Sequence, residues 1–242
     1  MKMKTNQNIT LMKTWNKDKY KEYLSYLEKI SDKDNIEFSK KITMTNYEVL
    51  GIKTPILKSI AKDISKTDIE SFFKYTGNKY YEEVMIEGFV LSSIKDPDLF
   101  MKYFEKFILK IDCWAICDSC ISSYKIMKKY DFSNYAYSLI LDSREFIIRV
   151  GYIILMDYYI DDEHIKEILK LSLKESNYYY VNMAIAWLLS VCFIKYRVNT
   201  LELLKSKKLS PFVQNKTISK IRESYRVSDE DKELVNKLKI NI

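Results

Sequence analysis

Apolar residues recur along the chain at spacings of three and four, which places them on one face of an α-helix. The pattern is clear in residues 20–27 and again in residues 56–64. It predicts short helices separated by brief polar turns, at residues 17–30, 34–41, 55–65, 68–75, 79–94, 97–110, 114–129, 132–141, 144–158, 162–174, 178–195, 199–206, 211–225 and 229–238. No stretch alternates with the period of two that is typical of a β-strand.

Local start signals agree with these helices. Thr54 is predicted to cap a helix that has Pro55 at its first position, and Asp96 and Pro97 repeat this arrangement. Ser228, followed three residues later by Asp231, resembles a capping box. The chain has 4 Gly and 3 Pro, too few for the frequent turns of sandwiches and barrels.

Two all-α architectures fit a run of short helices: a globular bundle, and a right-handed stack of antiparallel helix pairs. Pairing successive helices gives a period of about 35 to 40 residues, as in HEAT and related repeats. No linker rich in Pro, Gly or Ser interrupts the chain, and no repeated consensus is visible in the letters. We therefore expect residues 1–242 to form a single superhelical domain of HEAT-like or ARM-type repeats.

The charge of the chain favours a partner of opposite sign. Lys and Arg number 40 against 33 Asp and Glu, a net charge of +7, which suits nucleic acid or an anionic membrane surface. A codon bias toward A and T is an alternative source of this lysine-rich balance. The N-terminus lacks the apolar stretch of a secretory signal, and residues 181–194 are too short to span a bilayer. We expect a cytoplasmic protein without a membrane partner.

Three of the four cysteines are clustered, and two interpretations are open. Cys113, Cys117 and Cys120 have the spacing by which some radical enzymes hold an iron–sulfur cluster. The same spacing places them on one stripe of a helix, where Cys acts as a small buried hydrophobe. The sequence Trp-Ala-Ile-Cys-Asp-Ser suits a continuous helix, so we favour reduced thiols in the core and no metal.

Other common catalytic sites are excluded by residue type. His164 is the single histidine and lies in an acidic run at a predicted helix start, so histidine triads and multi-histidine metal sites are excluded. It is expected at the surface. The chain has no glycine loop that would cradle phosphates, which argues against kinases, NTPases and dinucleotide enzymes. We expect no cofactor and no nucleotide.

Four residues stand out as a candidate working surface. Trp114 and Asp118 are four apart and share a helix face, although a core Trp beside a surface Asp is the simpler alternative. Arg149 interrupts an apolar run and needs a phosphate, a carboxylate or an exit to solvent. Trp187 lies in another apolar run, where core packing is the default. Because Trp114, Arg149 and Trp187 are separated by roughly one repeat length, they are predicted to line one concave surface.

At these residues the chain resembles the bacterial DNA alkylation repair glycosylases built from HEAT-like repeats, the AlkD-like group. The resemblance covers nearly the whole chain. The matching elements are Gly51-Ile52-Lys53-Thr54-Pro55, Tyr81-Glu82-Glu83 before Gly88, Trp114-x3-Asp118, Arg149 in its apolar helix, and Ala184-Ile185-Ala186-Trp187. It implies excision of N3- or N7-alkylated purines, which are cationic lesions, from double-stranded DNA, with the base left stacked.

The resemblance also implies roles for the four residues. Asp118 corresponds to the catalytic carboxylate, Trp114 and Trp187 to an aromatic pair that contacts the lesion nucleotide's backbone and sugar, and Arg149 to an arginine that holds a phosphate. A carboxylate near the deoxyribose would stabilise the positive charge that develops there, and indole faces add cation–π attraction. Ile148 stands where better-known members have a second arginine.

Basic residues near these positions are candidate phosphate contacts, or else ordinary solvated faces. They are Lys125, Lys128 and Lys129 after Asp118, and Lys216, Lys220, Arg222 and Arg226 at helical spacing in the penultimate helix. The leading hypothesis is a monomeric DNA glycosylase. The alternatives are a non-catalytic binder of branched or distorted DNA, motivated by the charge and by Ile148, and a protein-interaction scaffold, a common use of helical solenoids.

Overall fold

The computed structural model describes residues 13–174 and 176–241. In this part of the chain all regular elements are helices, and one isolated bridge joins Glu48 to Tyr80, so the predicted all-α class is confirmed. The chain divides into two compact units that meet in sequence at Tyr130 and Asp131. The single HEAT-like domain and the handedness of the stack stay predictions. Among the described helices, none has the length and apolar character needed to cross a bilayer.

Seven α-helices are described in the first unit. They are α1 (Lys17–Lys29), α2 (Lys33–Thr43), α3 (Thr54–Ile64), α4 (Ile69–Phe73), α5 (Tyr81–Leu91), α6 (Pro97–Ile108) and α7 (Trp114–Ile121), followed by a short 3₁₀-helix (Lys125–Lys128). Helix α5 packs against both α3 and α7, and α6 packs against α5. Alternate helices α3, α5 and α7 therefore form one layer of this unit.

The second unit repeats this arrangement. Its described α-helices are α8 (Ser133–Ile140), α9 (Glu145–Tyr158), α10 (Ile165–Leu171), α11 (Tyr179–Lys195), α12 (Arg197–Ser206), α13 (Pro211–Glu223) and α14 (Asp229–Asn236). Helix α11 packs between α9 and α13, while α8, α12 and α14 pack against α9, α11 and α13 respectively. Alternate helices again form one layer, as stacked helix pairs require.

Two of the three predicted helix starts are confirmed. The Asp96 carboxylate accepts the backbone N–H of Leu99 at 2.8 Å at the start of α6, and the Ser228 hydroxyl accepts that of Asp231 at 3.2 Å at the start of α14. Thr54 is already helical, and Lys53 occupies the capping position of α3, so the predicted Thr54 cap is wrong by one residue.

Helices α5 and α7 end earlier than the apolar pattern predicts. The predictions reached residues 94 and 129, whereas α5 ends at Leu91 and α7 ends at Ile121. The Ser92 hydroxyl donates to the carbonyl of Phe89 at 2.6 Å, and the Ser123 hydroxyl donates to that of Cys120 at 2.6 Å. Such hydroxyls offer the carbonyls of a last turn a partner other than the next N–H, so they favour a helix end.

His164 is more buried than expected. It caps α10, its side chain is 12% exposed, and its Nδ1 lies 2.7 Å from the Asp161 carboxylate. Its ring also packs against Tyr159 with centroids 5.3 Å apart. The predicted surface position is wrong because the Asp161 carboxylate and the Tyr159 ring together cover most of the imidazole.

An aromatic cluster fills the core near the start of the first unit. The Trp15 ring packs edge-on against Tyr23 and Phe72, with centroids 5.7 and 5.0 Å away. Its Nε1–H donates to the Thr67 hydroxyl at 2.8 Å, and the residue is 4% exposed. Because buried Trp needs a partner for its N–H, this bond fixes the indole inside the core.

Candidate nucleic-acid interface

Helix α7 has one buried face and one open face. Ile116, Cys117 and Cys120 are buried, whereas Trp114 and Asp118 are half-buried and lie one helical turn apart. Residues four apart on a helix are neighbours on its surface. The structure therefore places the indole and the carboxylate on the same open stripe, as the spacing predicted.

One hydrogen bond to a backbone carbonyl holds the Trp114 indole in place. Its Nε1–H donates to the Ile42 carbonyl at 3.0 Å, at the end of α2. The loop after α2 is anchored in turn by Asp112, which accepts the Thr45 hydroxyl at 2.8 Å and the Asn46 N–H at 2.6 Å. The indole orientation is thus set by residues about seventy positions earlier in the chain, which the spacing of Trp114 and Asp118 does not reveal.

The cysteines belong to the core, as favoured from their spacing. All four are buried free thiols, and burial raises the pKa of Cys113 to about 12. A metal ligand must be the thiolate, which this environment disfavours. Within residues 13–174 and 176–241, no group of three or more His, Cys, Asp and Glu side chains is arranged to hold a metal ion.

Glu82, one of the residues that carry the family resemblance, holds the scaffold of the first unit together. Its buried carboxylate accepts the N–H of Leu50 at 3.0 Å and that of Ile52 at 3.2 Å. Between them Gly51 has a φ of 76°, a conformation that glycine adopts without steric cost. The bonds join the turn before α3 to α5, so this motif has a structural role.

In the second unit, Trp187 lies at the surface rather than in the core. The residue is 36% exposed, and the Lys220 ammonium on α13 lies 5.7 Å from its ring centroid. A cation at this distance over an indole face is attracted by the ring quadrupole. Helices α11 and α13 together thus present an aromatic ring and a positive charge.

Two further aromatic residues, Tyr179 and Phe212, lie near the predicted Lys216 and were not themselves predicted from the sequence. Tyr179, which is 55% exposed, packs edge-on against Phe212 with centroids 5.8 Å apart. The Lys216 ammonium lies 6.0 Å from the Phe212 ring centroid. The spacing of Phe212, Lys216 and Lys220 by four residues was the available signal, because such residues share one helix face.

Arg149 is buried between two helices of the second unit. It is 4% exposed, and its Nη1 donates to the Tyr180 carbonyl at 2.6 Å. The Glu145 carboxylate accepts the N–H of the same Tyr180 at 2.8 Å, so α9 holds the first turn of α11 with two side chains. A backbone carbonyl is none of the three partners that the sequence predicted for Arg149. The contact of Arg149 with a phosphate stays a prediction.

The remaining basic candidates differ in their settings. Lys125, Lys128 and Lys129 are exposed and lie in or just after the 3₁₀-helix rather than on α7. Arg222 is exposed near the end of α13, and Arg226 follows that helix, which ends at Glu223. The helical spacing predicted to include Arg226 is therefore wrong, and the phosphate contacts of these residues stay predictions.

The candidate residues fall into two groups. Trp114 and Asp118 belong to the first unit, whereas Arg149, Trp187 and Lys220 belong to the second. The first group supplies a carboxylate beside an indole, and the second supplies aromatic rings beside lysines. Within each unit the geometry suits contact with a nucleotide. A concave surface shared by the four original residues stays a prediction.

Comparison with known proteins identifies a family for this chain. A model of the family described as DNA alkylation repair enzyme matches residues 23–221. The matched range includes Trp114, Asp118, Arg149 and Trp187. No curated protein matches the chain.

Proposed function

From the premise that this chain belongs to the DNA alkylation repair enzyme family, we propose that it is a DNA glycosylase for cationic alkylated purines. The family gives the chain a role in DNA repair. The proposed reaction is hydrolysis of the N-glycosidic bond of N3- or N7-alkylated purines in double-stranded DNA. The observation that carries the proposal is the pairing of Trp114 and Asp118 on the open stripe of α7.

This pairing suits the chemistry of a cationic lesion. Alkylation at N3 or N7 leaves the purine positively charged, so the base departs with the bonding electrons as a neutral product. Positive charge then develops on the deoxyribose, where the Asp118 carboxylate stabilises it electrostatically. Water adds its oxygen to the sugar carbon, and the proton passes to Asp118 or to solvent. No metal or cofactor is required for these steps.

Trp114 supplies attraction to the same developing charge. An indole face attracts a cation within about 6 Å of its centroid. Trp114 is held by its bond to Ile42, so it keeps its position while the nucleotide reacts. In the second unit, Trp187 and Lys220 are proposed to contact the nucleotide's sugar and the adjacent backbone.

Arg149 and the lysines are proposed to bind backbone phosphates. A guanidinium presents its N–H donors in a planar fork that matches the oxygens of a phosphate. Surface lysines neutralise phosphates and release the counterions condensed on the DNA, so they contribute mainly salt-dependent affinity that is independent of sequence. Lys125, Lys128, Lys129, Lys216, Lys220, Arg222 and Arg226 are assigned to this group.

The decisive experiment measures base release from duplex DNA that contains N7-methylguanine, at enzyme excess. Asp118→Asn keeps the size of the side chain and removes its charge. We expect the rate to fall about 100-fold or more, the range seen when one electrostatic group is removed from a transition state, with unchanged duplex binding. Asp98→Asn, at an exposed position on α6, is the matched control and should keep the wild-type rate.

Equal release by wild type and Asp118→Asn, or release by neither, would remove the glycosylase proposal. A non-catalytic binder of branched or distorted DNA is the second candidate. It is favoured by the aromatic and lysine surface of α11 and α13, which needs no carboxylate to bind a nucleic-acid strand. This candidate predicts salt-sensitive binding without base release.

A further inference from the structure

Three lysines surround a cavity in the first unit. The proposed reaction does not use this cavity. Its volume is about 410 Å³. It is lined by Ala61, by Phe89, by five serines at the ends of α3, α5 and α7, and by Lys58, Lys62 and Lys125. We call it the lysine–serine pocket. All of its lining residues belong to the first unit.

The pocket carries uncompensated positive charge. In the described part of the chain, no carboxylate pairs with Lys58, Lys62 or Lys125, and none lines the cavity. The C-terminal ends of three helices contribute roughly −0.5 each, or about −1.5 together. Three lysines contribute +3. The negative helix ends therefore neutralise only part of the positive charge of the lysines. The remaining positive charge favours binding of an anion.

The serines add hydroxyl groups from a motif that recurs at the helix ends. An apolar residue followed by Ser closes α3, α5 and α7, at residues 64–65, 91–92 and 121–122. Ser65 donates to the Ala61 carbonyl at 2.7 Å, and Ser93 donates to that of Val90 at 2.7 Å. A hydroxyl can rotate toward a bound oxyanion, exchanging a neutral hydrogen bond for a stronger charge-assisted one.

The pocket continues the open stripe of α7. Trp114, Asp118 and Ser122 follow one another at spacings of four, and Ser122 lines the cavity. The step from Asp118 to Ser122 is about 6 Å along the helix axis. Since phosphates of one strand recur about every 3.4 Å along a duplex, DNA lying over Asp118 reaches the pocket within a few nucleotides.

We propose that the lysine–serine pocket binds a phosphodiester group of the DNA backbone, a few nucleotides from the lesion. This inference rests on the proposed function, because it assumes that DNA lies over Asp118. It assigns Lys58, Lys62 and the five serines of the pocket to DNA binding. It also gives Lys125 a specific partner, a backbone phosphate.

The test is the salt dependence of binding to an undamaged duplex. Replacing Lys58, Lys62 and Lys125 with Gln should reduce the slope of log affinity against log salt by about 1, the loss of one phosphate contact. The control replaces Lys29, Lys95 and Lys106 with Gln. These lysines are exposed and belong to the same unit, and their replacement removes the same charge. The slope should therefore stay at the wild-type value.

Ser122→Phe tests the pocket without changing the net charge. Ser122 is exposed with helical backbone angles, so the ring is tolerated and fills the cavity. We expect the same reduction in slope as in the lysine triple variant. Lys62→Arg, which keeps the charge, should retain the wild-type slope.

The outcomes separate the pocket from the glycosylase reaction. Equal salt slopes for the two triple lysine variants would overturn the proposal for the pocket. The glycosylase proposal would still stand if the protein releases the base. Line broadening of inorganic phosphate in ³¹P NMR that Ser122→Phe abolishes, with an unchanged duplex slope, would assign the pocket to free phosphate and also overturn it. Reduced slopes in a protein that releases no base would support the pocket and reject the glycosylase.

Discussion

The central helices of the two units bury different kinds of side chain. In the first unit, all eleven residues of α5 are buried, and they include Glu82, Glu83 and Glu87. In the second unit, the buried residues of α11 are apolar or small, such as Val181 and Leu188. The first unit thus places carboxylates inside its core, whereas Arg149 is the one buried charged residue among those described in the second unit.

This difference shows how each unit holds its loops. Glu83 accepts the N–H groups of Gly77, Lys79 and Tyr80, and the Tyr20 hydroxyl also donates to it. In the second unit the aromatic and cationic groups of α11 and α13 contact each other across the surface. We therefore expect the fold of the first unit to depend on buried hydrogen bonds, and that of the second on close packing.

The largest expected effect is at Glu83. Glu83→Ala leaves the N–H groups of Lys79 and Tyr80 and the Tyr20 hydroxyl without their acceptor, whereas the Gly77 N–H keeps the Tyr20 oxygen. Each buried unsatisfied group costs about 1 to 3 kcal/mol. We expect the free energy of unfolding to fall by about 4 kcal/mol after partial rearrangement. Urea denaturation followed by circular dichroism measures this change.

Glu105→Ala, at an exposed position on α6, is the control and should change the stability by less than about 0.5 kcal/mol. A loss at Glu83 below about 1 kcal/mol would show that this network is not what holds the loop before α5.

The next effect compares two helix crossings. A Cβ at Gly151 would lie 2.7 Å from the Ala136 carbonyl oxygen, whereas a Cβ at Gly88 would meet the side chains of Cys120 and Phe107. Overpacking costs about 1 to 3 kcal/mol, and Ala recovers up to about 1 kcal/mol of helix propensity. Because backbone moves less easily than a side chain, Gly151→Ala should lower the thermal midpoint more than Gly88→Ala.

A second-site change sharpens this comparison. Cys120→Ala removes one of the atoms that a Cβ at Gly88 would meet, so it should recover part of the stability lost in Gly88→Ala. The same change should recover nothing in Gly151→Ala, since Cys120 lies in the other unit. Recovery in both backgrounds would contradict the local packing explanation.

The smallest effect concerns pH. Burial raises the pKa of Glu87 above its ordinary value of 4.5, although Lys110 lies 2.7 Å away and lowers it. Between pH 4.5 and the raised pKa, the folded state binds a proton that the unfolded state has lost, so stability falls as pH rises. Glu87→Gln should abolish this fall, which amounts to about 1.4 kcal/mol for each unit of raised pKa.

Asp142 of the second unit gives the opposite sign and serves as the control. Its hydrogen bonds to Arg144 lower its pKa below the ordinary value of 3.8, so its contribution to stability is lost only as pH falls below that value. The stability difference between wild type and Asp142→Asn should therefore stay constant between pH 4.5 and 7. Unfolding in urea at several pH values measures both variants, and a constant Glu87→Gln difference would contradict the assignment.

The sequence predicted local features well. The period of apolar residues located the helices, and the caps at Asp96 and Ser228 were identified because a cap bonds a backbone group only three residues away. The shared face of Trp114 and Asp118 followed from helix geometry alone. Each of these predictions depends on neighbours within one or two turns.

Features that depend on distant residues were missed or mistaken. His164 is covered by Tyr159, and Arg149 meets a carbonyl of the next layer helix, neither of which follows from the apolar pattern. The early ends of α5 and α7 had a local signal in Ser92 and Ser123, but the apolar residues beyond them continued the helical period. The motif of an apolar residue followed by Ser recurs at three helix ends, but two residues are too few to be recognised as a sequence repeat.

Because the three tryptophans differ in exposure, their intrinsic fluorescence can report on each part of the protein. Trp15 is sealed in the core, whereas Trp114 and Trp187 are accessible and belong to separate units. A collisional quencher such as acrylamide should reach the two accessible indoles and spare the third. Single Trp→Phe substitutions would then assign the emission of each unit, so that ligand titrations of either half could be followed without a label.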